Sequence, residues 1–168
     1  MKQQYPLEQA KELAEELKQQ LSRMTSRIEI AGSVRRCKET VGDIEIVCQP
    51  SETFDLFGAA EPQPIYLPYR AVKDGSRYKQ YRLPNGLCLD LFIVLPPAQW
   101  GVILALRTGP MMFSKKLVTR RPWGYLPSEY HVEDGAVWHE ERGVIATPEE
   151  SDYFRLCGLN WIPPQERN

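Results

Sequence analysis

A chain of 168 residues with 21 Lys and Arg against 22 Asp and Glu, formal charge −1, is long enough to bury an apolar core as one domain or two small lobes. Its opening segment lacks an apolar leader, and no unbroken apolar run approaches the ~20 residues that span a bilayer, so neither secretion nor membrane insertion is expected and the expected location is the cytoplasm. Cys37, Cys48, Cys88 and Cys157 form no CxxC pair, and His131 and His139 are the only histidines, a pattern that speaks against a zinc site and a disulfide framework.

Leu7, Ala10, Leu13, Ala14, Leu17, Leu21 and Met24 recur at spacings of three and four, which predicts an amphipathic helix that starts after Pro6 and covers one side of a sheet. Residues 27–31 read as a strand, Gly32-Ser33 as a tight turn and 34–39 as a short helix, after which Gly42 restarts extended structure. In that next strand Asp43 and Glu45 share one face while Ile44 and Ile46 point to the other. Residues 49–68 carry Pro50, Gly58, Pro62, Pro64 and Pro68 and are expected to form a connecting loop with a short helix near Phe54. Residues 77–83 alternate and pass through Pro84, Asn85 and Gly86 into an apolar run, 87–94, that contains Asp90. Asn-Gly between two such runs is a strong hairpin signal, and it makes the Asp90 strand a neighbour for the Asp43 strand. Helices follow over 100–106 and 110–118.

Two acids on one strand face repel each other unless a cation lies between them, so a divalent metal accounts for the Asp43 and Glu45 pattern. With Asp90, three carboxylates on neighbouring strands suit two ions roughly 3.5 to 4 Å apart, the arrangement that drives in-line displacement at phosphorus. Gly32-Ser33, at a strand end and opening a helix, offers backbone N–H groups and a hydroxyl to phosphate oxygens. A net charge near zero is unusual for a nucleic-acid protein, but the charge is unevenly spread. Residues 107–128 hold five basic side chains (Arg107, Lys115, Lys116, Arg120 and Arg121) and no acid, whereas residues 129–152 hold eight acids with Arg142 as the only Lys or Arg. A basic band of this kind steers a polyanion locally.

Gly32-Ser33, Arg36, Gly42-Asp43-Ile44-Glu45 and Leu89-Asp90-Leu91 resemble the nucleotidyltransferase superfamily, and specifically the family X DNA polymerases related to polymerase beta. Thr108-Gly109, residues 126–130 and residues 147–167 extend the likeness through the family's thumb, so that it runs from about Ser26 to Asn168. The resemblance implies an α/β fold, with a nucleotidyltransferase palm over 1–99, built on a mixed sheet with helices on one face, and a small thumb-like lobe over 100–168. It implies a monomeric relative of the DNA repair polymerases that adds dNMP from a dNTP to a primer 3'-hydroxyl with release of pyrophosphate. Its partners would be dNTP and a DNA primer-template or gapped DNA, and its cofactors two Mg2+ ions, with Mn2+ as the alternative. Asp43 and Glu45 would bind both ions; Asp90 would bind the catalytic ion and activate the attacking hydroxyl.

In the same resemblance Gly32, Ser33, Arg36, Gly42, Thr108 and Gly109 would hold the nucleotide, with Arg36 at its outer phosphates, and Lys115, Lys116, Arg120 and Arg121 would contact DNA. Arg35 matches a position with no assigned role. Three departures stand out: Glu45 where the family usually carries Asp, Leu106-Arg107 in place of an aromatic pair, and Val118 where polymerase beta has a template-reading arginine. Without a Schiff-base lysine lobe or a helix-hairpin-helix signature, lyase activity is not expected. The rival readings are nucleotidyl transfer to an RNA end or a small molecule, and a metal-free binding module acting through the proline-rich 50–68 or the acidic 129–152 segment.

Overall fold

The computed structural model describes residues 4–54 and 56–167; residues 1–3 and 168, at the outer ends of the two expected lobes, lie outside the described residues. A short strand β1 (Tyr5–Pro6) leads into α1 (Leu7–Leu21), which starts directly after Pro6 as the periodicity requires. Then come β2 (Thr25–Ile30), the single turn α2 (Gly32–Arg35), β3 (Thr40–Val41), β4 (Ile44–Pro50), β5 (Glu52–Phe54), β6 (Ala60–Pro62), β7 (Arg70–Asp74), β8 (Tyr78–Arg82) and β9 (Cys88–Ile93). The remainder is α3 (Trp100–Thr108), α4 (Met111–Val118), the meander β10 (Tyr130–Glu133), β11 (Ala136–His139) and β12 (Gly143–Ile145), and α5 (Glu150–Leu156). The fold is mixed α/β, and no described helix is long and apolar enough to cross a membrane.

The central sheet has the order β2-β4-β9-β8-β7; β4 and β9 run parallel and the other pairs antiparallel. Period-two alternation gives this sheet two different faces. Ile44, Ile46 and Cys48 of β4 and Leu89, Leu91 and Ile93 of β9 pack with Ala10, Ala14, Leu17 and Leu21 of α1 in one core. On the opposite face Val47 meets Trp100 and Leu104 of α3, together with Ala31 and Val94. The helix α3 is apolar almost all round because it serves two cores. Its Val102 and Ala105 turn away into a second cluster with Phe113, Leu117, Leu126, Val137, Tyr153 and Phe154.

Two expectations about local structure are corrected. The segment near Phe54 is not helical: β5 and β6 form an antiparallel hairpin, in which backbone pairing across the connection outweighs the weak local preference for a turn of helix. The helix expected over 34–39 is instead the single turn 32–35, entered at Gly32 with φ 60° and ended at Cys37, whose φ of 55° breaks the helical path. The Asn85-Gly86 hairpin forms as expected, with Gly86 at φ 89° and the Asn85 side chain accepting the Leu87 N–H at 3.1 Å.

Candidate functional site

The carboxylates are brought together by register. Glu45 on β4 stands directly beside Asp90 on β9, and Val47 beside Phe92, so both acids project from the face that α3 partly covers. Asp43 lies two residues before Glu45, at the entry to the strand. The Glu45 carboxyl is pushed up from its ordinary value to about 7, first by burial and then by the negative charge of Asp43, with Asp90 adding to it; Arg36 and Arg107 pull the other way. Its carboxylate lies against Gly32: a Cβ added there would fall 1.5 Å from Glu45 Oε2. Only glycine combines that close approach with the positive φ.

Asp90 is held by its neighbours on β8. The Tyr78 hydroxyl and the Gln80 side-chain amide both donate to Asp90 Oδ1, each at 2.7 Å. Tyr78 stacks on Phe92 with ring centroids 5.3 Å apart, and the Arg107 guanidinium carbon lies 4.1 Å from the centre of the Phe92 ring. Burial, followed by the hydrogen bond to Asp90, keeps the Tyr78 phenol protonated. Glu45, Asp90, Tyr78, Phe92, Lys73 and Arg107 line a cleft of about 640 Å3.

A second cleft, about 810 Å3, lies on the Asp43 side and is lined by Ser33, Arg36, Thr40, Gly42 and Asp43 among others. Two polar atoms there are buried without a hydrogen-bond partner, Ser33 Oγ and Arg36 Nε. Buried polar groups of this kind are met by ordered water, an ion or a ligand. Desolvation lowers the Arg36 pKa, and the nearby Glu45 charge opposes that shift. Arg36 is anchored by an Nη1 hydrogen bond to the Thr108 carbonyl at 2.6 Å, while Arg35 Nη1 donates to Thr108 Oγ1, also at 2.6 Å. Thr108 is thus engaged through both of these oxygens by the arginine pair. A Cβ on its neighbour Gly109 would meet Phe113 Cδ1 and Ser114 Oγ at 2.8 Å, so this glycine allows α4 to pack closely.

The four basic residues singled out for DNA lie elsewhere. Lys115 and Lys116 are exposed on α4, and neither they nor Arg120 and Arg121 line either cleft. Arg120 Nε donates to the Tyr130 carbonyl at 2.7 Å, and Arg121 Nη2 to the Cys157 carbonyl at 3.1 Å. Both arginines therefore help hold their own lobe together. A network that the sequence did not reveal centres on Glu150. It accepts Arg35 Nη1 and Nη2 at 2.9 and 3.2 Å, Arg167 Nη1 at 2.7 Å and the Trp161 indole at 2.7 Å. Tyr78 and Gln80 carried a signal, since counting back through the Asn85-Gly86 hairpin puts them opposite or diagonal to Asp90. The Glu150 network carried none, because its members are far apart in sequence.

Among the described residues no three carboxylate, imidazole or thiolate groups converge closely enough to enclose a metal ion. The donor chemistry nevertheless fits a hard divalent cation: hard oxygen donors stand on adjacent strands, and the Glu45 carboxyl, raised first by burial, also feels the like charges of Asp43 and Asp90 that a cation would neutralise. In metal-free protein the raised folded value favours the protonated carboxyl. The corresponding stability is full below 4.5 and is lost as pH rises through about 7. Glu45→Gln, which imitates the protonated form, should therefore be more stable than wild type by about 3 kcal/mol above that window, the gap closing below it. Thermal melting in EDTA on either side of the window measures this; a pH-independent gap would show that Glu45 is not strained by its neighbours. In comparisons with known proteins, the chain matches no family model and no curated sequence.

Proposed function

We propose that this protein is a metal-dependent nucleotidyltransferase, a minimal polymerase of the family X type that adds dNMP from a dNTP to a primer 3'-hydroxyl and releases pyrophosphate. The observation that carries the reading is the pairing of Glu45 with Asp90 on adjacent parallel strands, beside a cleft that presents Ser33, Arg36 and Asp43. Asp43, Glu45 and Asp90 would hold Mg2+, which when bound supplies neutralising charge for the phosphates and lowers the pKa of the attacking hydroxyl. The chain's own groups do the positioning. Ser33 Oγ and Arg36 Nε, buried and unpartnered, are available for the oxygens of a triphosphate. Tyr78 and Gln80 hold one oxygen of Asp90 from the strand side and leave its orientation fixed. Arg107, in the cleft with Asp90, adds positive charge where the acceptor strand would enter.

The direct test is extension of a labelled primer on a DNA template with each dNTP and Mg2+, with RNA ends as parallel acceptors. Metal-dependent addition to DNA supports the reading. Addition to RNA ends alone would redirect it to another acceptor, and no addition to any acceptor would overturn it. Within this reading, Arg36→Lys replaces a planar fork with a point charge. It should weaken dNTP binding about tenfold, the loss of roughly one hydrogen bond to a charged group, while leaving DNA affinity nearly unchanged. Unaltered nucleotide affinity by calorimetric titration would return Arg36 to a purely structural role at the Thr108 carbonyl.

A further inference from the structure

Trp123 is 84 % exposed, in the loop that connects α4 to the meander. A large indole is usually buried for the sake of its apolar surface, so its presentation to water calls for a partner. The loop is not slack. Tyr125 N–H donates to the Lys116 carbonyl at 2.8 Å, Leu126 N–H to Thr119 at 3.1 Å, Arg121 N–H to Leu126 at 2.8 Å and Gly124 N–H to Arg120 at 3.1 Å. The next residue, Gly124, is wound so tightly on the end of α4 that a Cβ would fall 2.0 Å from the Thr119 carbonyl oxygen. The side chains of Arg120 and Arg121 pin the loop further, to the Tyr130 and Cys157 carbonyls. A rigid loop thus carries a planar aromatic face at little cost in ordering on binding.

Charge decides what that face suits. Residues 115–128, around Trp123, contain four basic side chains and no acid, Arg107 being set apart in the first cleft, and this charge suits an anionic partner. A lipid surface takes up several apolar side chains at one depth; residues 107–128 expose Met111, Met112 and Val118 besides Trp123, but Trp123 is the only exposed aromatic side chain among them. A single aromatic plane in a cationic strip is the arrangement that grips unpaired nucleic acid, with bases stacked on the ring and the backbone held by the cations. We propose that Trp123 is a stacking platform for an unpaired base of a bound single strand, with Lys115 and Lys116 facing the strand's phosphates. This rests on the nucleic-acid reading above, and it moves the grip on the strand from Arg120 and Arg121, which are engaged in the loop itself, to the indole between them and Gly124.

The test uses the full chain without nucleotide or metal, so that it reports strand binding independently of transfer. Anisotropy of a labelled oligothymidylate of about ten nucleotides is compared with an abasic strand of the same phosphate number. Wild type should bind the thymidylate more tightly than the abasic strand and show quenched tryptophan emission. Trp123→Ala should weaken thymidylate binding about tenfold while leaving abasic binding unchanged, and Trp123→Phe should restore most of the loss. Matching melting curves for the variants exclude misfolding. Equal thymidylate affinity for wild type and Trp123→Ala would overturn the proposal. So would equal affinity of wild type for the two strands, or Trp123-dependent binding to phosphatidylserine vesicles with no binding to either strand. If stacking is found while no acceptor is ever extended, the platform stands and the polymerase reading falls. If extension is found while Trp123→Ala binds normally, the reverse holds.

Discussion

Glu150→Ala is expected to destabilise the protein by about 3 to 5 kcal/mol, the usual result of removing one partner from a buried ion pair. Glu150 is 5 % exposed and Arg167 fully buried, and Arg35 completes the triad at 2.9 Å. Without the carboxylate, two guanidinium groups face each other in a site largely closed to water, and the Trp161 indole loses its acceptor. Burial alone would raise the Glu150 pKa, but the hydrogen bonds from Arg167 and Arg35 lower it overall. The stability this supplies is present above the ordinary carboxylate value and lost as pH falls through the depressed one. Urea unfolding at neutral pH measures the effect, and in acid the difference between wild type and variant should shrink. A loss below about 1 kcal/mol at neutral pH would mean that the triad merely offsets its own desolvation. Because Arg35 adjoins Arg36 and both bond to Thr108, the variant should also loosen the second cleft, and Glu150→Gln, which keeps two heavy atoms in place, should do less damage.

Asp90→Ala is expected to abolish nucleotidyl transfer while leaving the fold intact. Under the proposed function Asp90 acts directly at the reacting hydroxyl, and losing such a carboxylate would cost several kcal/mol, about a thousandfold in rate. The stability change should be small because two effects oppose each other. Repulsion toward Glu45 is relieved, but the Tyr78 hydroxyl and the Gln80 amide lose their shared acceptor. Tyr78 borders an open cleft and Gln80 is partly exposed, so both donors can turn to water. Primer extension by the variant above about a tenth of wild type, against the several kcal/mol expected, would remove Asp90 from the chemistry. A circular dichroism melt checks that a lost activity is not a lost fold.

Much of the architecture can be read from short-range pattern. The start of α1 after Pro6, the two-faced β4 with Ile44 and Ile46 on one side and Glu45 on the other, and the hairpin at Asn85-Gly86 each depend on residues within a few positions of one another. Such signals survive in sequence because backbone geometry is local. The failures are equally specific. The hairpin of β5 and β6 looked like loop and helix because its pairing partners are exposed and lack alternation. The early end of α2 turns on a single positive φ at Cys37, a residue type that gives no warning of it. Arg120 and Arg121 each also spend a side-chain N–H on a distant carbonyl, which nothing nearby in sequence announces.

By itself the sequence determined which side chains within a strand share a face: the strand period sets Glu45 against Ile44 and Ile46, and the hairpin register follows from its turn, whereas Asp43 lies just before β4 and lines the other cleft. Only the tertiary structure decided that Glu45 stands beside Asp90, that its carboxylate rests on Gly32, and that Arg35 is bound to Glu150. The physical reason is distance along the chain. Paired residues of β4 and β9, such as Glu45 and Asp90, stand 45 positions apart in the chain, and the Arg35–Glu150 pair spans 115. Contacts of that reach are set by how the two cores close around α3, a packing outcome to which no short window of residues has access.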